Sequence, residues 1–544
     1  MMKSNRLNVL LLVVSFLFFK TALAQTERYI SKVWVADSGK GTYKNPIINA
    51  DYSDPDICRV GNDYYMIASS FGCSPGIPIL HSRDLVNWTL VNYALKNLRP
   101  EDVYTNPMHG KGVWAPCIKY HNGEFYIYWG DPDFGIYMIK TKNPFADWSS
   151  PSLVLAGKGL IDPSPLWDQD GRAYLVHGWA ASRAGINSIL TVNELSADGM
   201  KATGETVLVY DGIPDGNIIT EGPKFYKRNG YYYIMCPAGG VEQGWQLAMR
   251  SKNVYGPYEV RKVMMQGKTT INGPHQGGWV ETQTGESWFV NFQDKAAYGR
   301  VVHLQPMKWV NDWPIIGEDK DGDGCGEPVY GWKKPNVGKS YPIETIVESD
   351  EFNSDKLGLQ WQWHANPKQS FGMPSRTGFY RLYSEFTPDN YINFWQIPNL
   401  LLQKMPAEEF TATTKVTFNS QTNEEKTGLI VMGWNYSSLS LVKKETGYSI
   451  QQIVCLDADK GTPEKIVASA PFDKTTIYLR VQVKNGGFCT FSYSADGTDY
   501  TVIGEVFKAR QGKWIGAKVG IFNLSPLKTG TRGYADYDWF RIDN

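Results

Sequence analysis

Three carboxylates in this chain stand out by their placement. Asp54, Asp162 and Glu221 each open a short strand, in Asp54-Pro55-Asp56-Ile57, Asp162-Pro163-Ser164-Pro165 and Thr220-Glu221-Gly222-Pro223. Brought to one place, a carboxyl kept protonated and another kept ionised carry general acid and general base chemistry. Anions repel one another and lose hydration on burial, so a purely structural protein has little reason to gather three of them. A lone Asp-Pro opens a turn more often than it catalyses. Its recurrence in matching contexts favours the chemical reading.

Each carboxylate is followed by a turn and an aromatic strand: Gly61-Asn62 before Tyr64-Tyr65, Asp170-Gly171 before Tyr174, and Asn229-Gly230 before Tyr231-Tyr232-Tyr233. Two further copies read Trp114-Ala115-Pro116-Cys117 with Asn122-Gly123-Glu124-Phe125, and Gly273-Pro274-His275 with Thr284-Gly285 and Trp288-Phe289. A second half also recurs, in the stretches 82–88, 141–148 and 251–258. Units of roughly 50–60 residues with about four strands each are propeller blades. The fold is therefore expected to be all-β, a five-bladed β-propeller over residues 45–315. First strands line a propeller's axis, so Asp54, Asp162 and Glu221, read as equivalent positions of blades one, three and four, converge at one mouth. Blades two and five add Trp114 and His275.

Asn45-Pro46-Ile47-Ile48 through Asp54-Pro55-Asp56-Ile57-Cys58-Arg59-Val60, the Tyr64-Tyr65 strand, His81-Ser82-Arg83-Asp84-Leu85-Val86-Asn87-Trp88 and Thr220-Glu221-Gly222-Pro223 together resemble glycoside hydrolase family 43. The resemblance spans about residues 44–315 in the family's order. It implies that Asp54 is the general base, Glu221 the general acid and Asp162 the carboxylate that raises the acid's pKa and orients it. In an inverting reaction the two working carboxyls stand about 6.5–9.5 Å apart. Arg300, in Gly299-Arg300-Val301-Val302, resembles the family's substrate-gripping arginine. His275 resembles its axis histidine, which touches a central water or cation, or else is a core histidine. Trp114 either walls the pocket or packs its blade. No cofactor is required; a structural calcium is compatible with the resemblance.

The implied activity is exo-acting release of terminal α-L-arabinofuranose from plant cell-wall hemicellulose, such as arabinoxylan or xyloglucan oligosaccharides. The alternative is β-D-xylosidase or bifunctional action. Lys224 follows Glu221-Gly222-Pro223 where many xylosidase-like members carry His, and this tilts the expectation toward arabinofuranose. Two other classes compete. A glycan-binding propeller without catalysis would not need all three carboxylates. A retaining fructan-processing propeller usually opens with a Trp-Met-Asn-Asp-Pro type motif and has a central Arg-Asp-Pro, whereas this chain reads Tyr52-Ser53-Asp54-Pro55 and Ile161-Asp162-Pro163.

Residues 1–24 combine Lys3 and Arg6, an apolar run and Ala22-Leu23-Ala24, the pattern of a secretory signal peptide. Export to the periplasm or medium is expected, with no membrane partner after cleavage. Residues 25–44 form a lead-in and 316–344 a solvated linker. Within the linker Asp319, Asp321 and Asp323 imitate a calcium loop, but Tyr330 takes the twelfth position, where a bidentate Glu belongs. Longer alternating strands from 345 to 544 indicate a jelly-roll β-sandwich. The chain has 544 residues, 55 basic and 55 acidic, and this zero net charge gives no reason to expect nucleic acid. Its seven cysteines lack metal or disulfide-framework spacing.

Overall fold

Five four-stranded antiparallel sheets follow one another along the chain, at residues 56–95, 114–156, 160–211, 224–264 and 275–316, each built from consecutive strands. The computed structural model describes residues 28–544. The leader expected over residues 1–24 lies outside the described residues. The Asn-Gly turns that announced the blades are two-residue hairpins. Asn122 and Gly123 have φ of 47° and 83°, and Asn229 and Gly230 of 50° and 74°, the double positive φ that a type I′ turn requires.

The ring closes through the lead-in. Ile48 and Val302 exchange backbone bonds of 3.3 and 3.0 Å, and the Asn45 side chain both donates to and accepts from the Leu304 backbone at 2.9 Å. Thr42–Lys44 pairs with Gly331–Lys333, and Lys334 donates to both Asp37 and Asp84. The stretch read as a solvated linker is thus largely a strap on the propeller, with Val329 and Val337 buried. Its first part does protrude. There the carboxylates of Asp319, Asp321 and Asp323 lie within 4.8 Å of one another, and Asp319 accepts the Gly322 and Gly324 amides.

The C-terminal domain is a sandwich of two eight-stranded sheets. Period-two alternation is clear in Thr476–Lys484, where Ile477, Leu479, Val481 and Val483 point into the core. The sandwich docks on blades one and five. Trp363 and Ser74 pair backbones, Ala517 donates to the Ala297 carbonyl at 2.7 Å, and Gly516 donates to Asp51 at 2.9 Å. All seven cysteines are thiols, five of them buried.

Candidate active site

At the mouth of the axis each inner strand begins with a residue forced into the left-handed region. These are Asp54, Ala115, Asp162, Gly222 and Gln276, with φ of 54°, 31°, 55°, 59° and 34°. Four of them precede a proline. In blades two, three and five the pairing register shifts here, and such irregularities re-aim side chains. The expected equivalence of the three carboxylates needs one correction. Asp54 and Asp162 share a position, but in blade four that position is Gly222, and Glu221 sits one residue earlier, level with Trp114 and His275. The offset gives the acid a different direction of approach from the other two carboxylates.

One pocket of about 100 Å³ is lined by Asp54, Asp162, Glu221, Trp114 and Arg300, together with Phe71, Ala115, Ile161, Val241, Gln276 and Trp514. Asp54 is buried. Its Oδ2 accepts the hydroxyls of Ser53 and Ser69 at 2.7 and 2.6 Å, and its Oδ1 faces Arg300 Nη1 at 3.3 Å. Two donors on one oxygen fix the carboxylate's plane. Ser69 accepts the Ala115 amide in turn, so blade two holds Asp54 in place.

Asp162 accepts the Gly222 amide at 2.8 Å. Burial, with a smaller contribution from Asp54, pushes its carboxyl up to about 7. Glu221 is pushed higher, to about 8, by burial first and then by the negative charges of Asp162 and Asp54. Glu221 is thus largely protonated at neutral pH in the same pocket as the hydrogen-bonded Asp54, and a pair of carboxyls is what acid–base hydrolysis requires.

Arg300 is buried. It donates to Ser53 Oγ at 2.8 Å, and its own amide is anchored by Asp51. His275 does not line the pocket. Fully buried behind Glu221, its Nε2 is 3.5 Å from Oε1 of the acid. Burial and then Arg300 push the ring down to about 3, which keeps it neutral. Trp114 lines the pocket, its ring edge-on to Phe71 and to Trp514 at 6.3 and 6.2 Å between centroids.

Trp514 escaped the sequence reading. It comes from the sandwich, on a turn where its own φ is 66°, and faces Arg300 at 5.8 Å. No local motif marks it; its role comes from docking between segments far apart in the chain. Lys224 is the reverse case. Expected to bear on sugar choice, it is fully buried below the pocket and does not line it.

The five-bladed ring and its three carboxylates define a propeller hydrolase. The chain matches the model of glycosyl hydrolases family 43 over residues 43–314, and that of the beta xylosidase C-terminal Concanavalin A-like domain over 349–543. A putative beta-xylosidase of Xylanibacter ruminicola is 38% identical over 493 residues, covering 90% of this chain and 88% of the relative. A beta-xylosidase of Formosa agariphila is 32% identical, with 93% and 91% covered. The non-reducing end alpha-L-arabinofuranosidase BoGH43B of Bacteroides ovatus is 28% identical, with 93% and 96% covered. Among solved structures, a xylan beta-1,4-xylosidase from Bacillus halodurans superposes with a TM-score of 0.80 at 25% identity, covering 92% of this chain and all of that one. The chain belongs to glycoside hydrolase family 43 and is a glycosidase.

Proposed function

We propose that the enzyme is exo-acting and inverting, and removes single terminal pentose units from hemicellulose oligosaccharides outside the cytoplasm, with β-D-xylopyranose as its preferred sugar. The observation that carries the reading is the convergence of Asp54, Asp162 and Glu221 on one small pocket with Trp514 at its wall. A space of this size takes one ring and leaves the rest of the chain outside. Glu221 gives its proton to the departing glycosidic oxygen. Asp54 takes a proton from a water that attacks the anomeric carbon from the opposite face, so the sugar leaves with inverted configuration. In its ionised form Asp162 adds its charge to the effect of burial in holding the proton on Glu221. Arg300 orients Asp54 and presents its guanidinium to sugar hydroxyls.

Support for xylose comes from the names of the two relatives above 30% identity. One ground for preferring arabinofuranose was Lys224, and its burial below the pocket takes away a direct contact with the sugar. The likeness to BoGH43B keeps α-L-arabinofuranose as the second reading. Comparing kcat/KM on aryl β-D-xyloside and aryl α-L-arabinofuranoside decides between them, since one pocket contact is worth about 1–3 kcal/mol of discrimination. A preference for the arabinofuranoside replaces the first reading. NMR of the first-formed anomer tests inversion; a retained configuration sinks the mechanism.

A further inference from the structure

Two positions beyond the left-handed residues, the inner strands place a second layer across the axis: Asp56, Cys117, Ser164, Lys224 and Gly278. None of the five lines the pocket, and contacts run between them across the axis, so this layer is the floor beneath the catalytic carboxylates. Most of it is internally satisfied. Ser164 receives the Phe225 amide at 2.9 Å and the Cys117 thiol at 3.3 Å. Asp56 Oδ2 receives the Ile118 amide at 2.8 Å, while its Oδ1 is buried with no partner. Gly278 leaves room for that oxygen, since a Cβ there would come within 2.6 Å of it.

Lys224 is the one cation of this layer. Its side chain is wholly buried, and its ammonium reaches the Pro116 carbonyl at 3.4 Å. Burying a charge this way is costly, and a methionine would fill the same volume. The carboxylates whose charges bear on it are those of Asp56, Asp162 and Asp54; Asp162 is also under the influence of Arg300 and acts in turn on Glu221.

We propose that Lys224 is a positioning residue of the hydrolysis: its ammonium, buried under the pocket floor, favours the ionised form of Asp162, so that an anion can share one small chamber with Glu221. The inference rests on the roles proposed above. Without the ammonium, Asp162 takes up a proton at higher pH and no longer adds its charge to holding the proton on Glu221.

The test is the pH profile of kcat/KM on an aryl glycoside for wild type, Lys224→Met, Lys224→Arg and Asp56→Asn, with each fold checked by circular dichroism. Lys224→Met is expected to move the acid limb up by about one pH unit, a loss of about tenfold below the limb. Lys224→Arg should leave it in place. Asp56→Asn removes a negative charge from the floor and should move the limb down. A folded Lys224→Met enzyme with the wild-type limb overturns the proposal. Where that variant fails to fold, Asp56→Asn decides, and an unmoved or raised limb overturns it. An active Asp54→Asn enzyme would instead sink the assigned roles, so the two failures are distinguishable.

Discussion

The Gly222 backbone N–H donates to the Asp162 carboxylate at 2.8 Å, tying blade three to blade four one residue away from Glu221. Because the bond runs to backbone, an asparagine at 162 can accept it through its own oxygen and keep the geometry while losing the charge. Glu221 stands at about 8 because of burial and then Asp162 and Asp54, so removing one of those charges lowers it. The expected outcome for Asp162→Asn is an alkaline limb of kcat/KM displaced toward lower pH, with kcat down about 10²-fold at pH 7. An alkaline limb unchanged from wild type would show that Asp162 acts on something other than the acid.

Glu221→Gln and Asp54→Asn should separate by leaving group. An aryl leaving group of low pKa departs without a proton, so Glu221→Gln is expected to keep much of its activity there. On unactivated oligosaccharides it should lose about 10²–10⁴-fold. Asp54→Asn leaves the attacking water without a base and should fail on both. Steady-state rates across a series of aryl glycosides provide the measurement, and equal losses for Glu221→Gln along the series contradict its role as acid.

The propeller was legible because its signals are local: turn dipeptides with positive φ, aromatic strands, and a unit that returns five times. The carboxylates were legible for the same reason, since each sits at the start of such a unit. The one-residue offset of Glu221 was also present in the sequence. Aligning Pro55, Pro116, Pro163 and Pro223 puts Gly222, not Glu221, level with Asp54 and Asp162. What stayed hidden depends on contacts between distant segments. Trp514 reaches the pocket through docking contacts such as that of Gly516 with Asp51, 465 positions away. The strap at 325–337 looks like a linker because its partners, Asp37, Asp84 and Gln283, lie far off in sequence.

Trp514 supplies an aromatic wall that the propeller alone lacks. Its ring stands edge-on to Trp114 and over Arg300, and removing it opens the pocket to water without touching a carboxylate. Trp514→Ala is therefore expected to raise KM about tenfold, with a smaller effect on kcat, in line with the cost of losing one aromatic anchor. The melting temperature should barely change, because the side chain is 40% exposed. A large fall in kcat with unchanged KM would mean that the ring acts on the transition state rather than on binding.

The interface between the domains carries a pH dependence of its own. His109, from the propeller, stacks on Trp395 of the sandwich at 3.5 Å and meets His364 edge-on at 4.6 Å. His364 Nδ1 bonds the Ile397 carbonyl at 2.9 Å. Burial pushes His364 down to about 4, and burial followed by the His364 charge holds His109 well below its usual value. Both rings are neutral when folded and bind protons near pH 6.5 when unfolded, so their contribution is complete above about 6.5 and declines as the pH falls toward 4. Asp131, Asp162, Glu221 and Glu348 are raised mainly by burial and act in the opposite sense, destabilising as the pH rises. Wild-type melting alone therefore mixes both effects, and the informative quantity is the difference between wild type and His364→Gln. Glutamine does not titrate in this range, so the variant sheds the acid penalty. Relative to its own deficit at pH 8, it should gain on the order of 2 kcal/mol by pH 4.5. Thermal melts of both proteins from pH 8 to 4.5 supply the comparison, and a stability difference that stays constant over that range rules out His364 as a source of acid sensitivity.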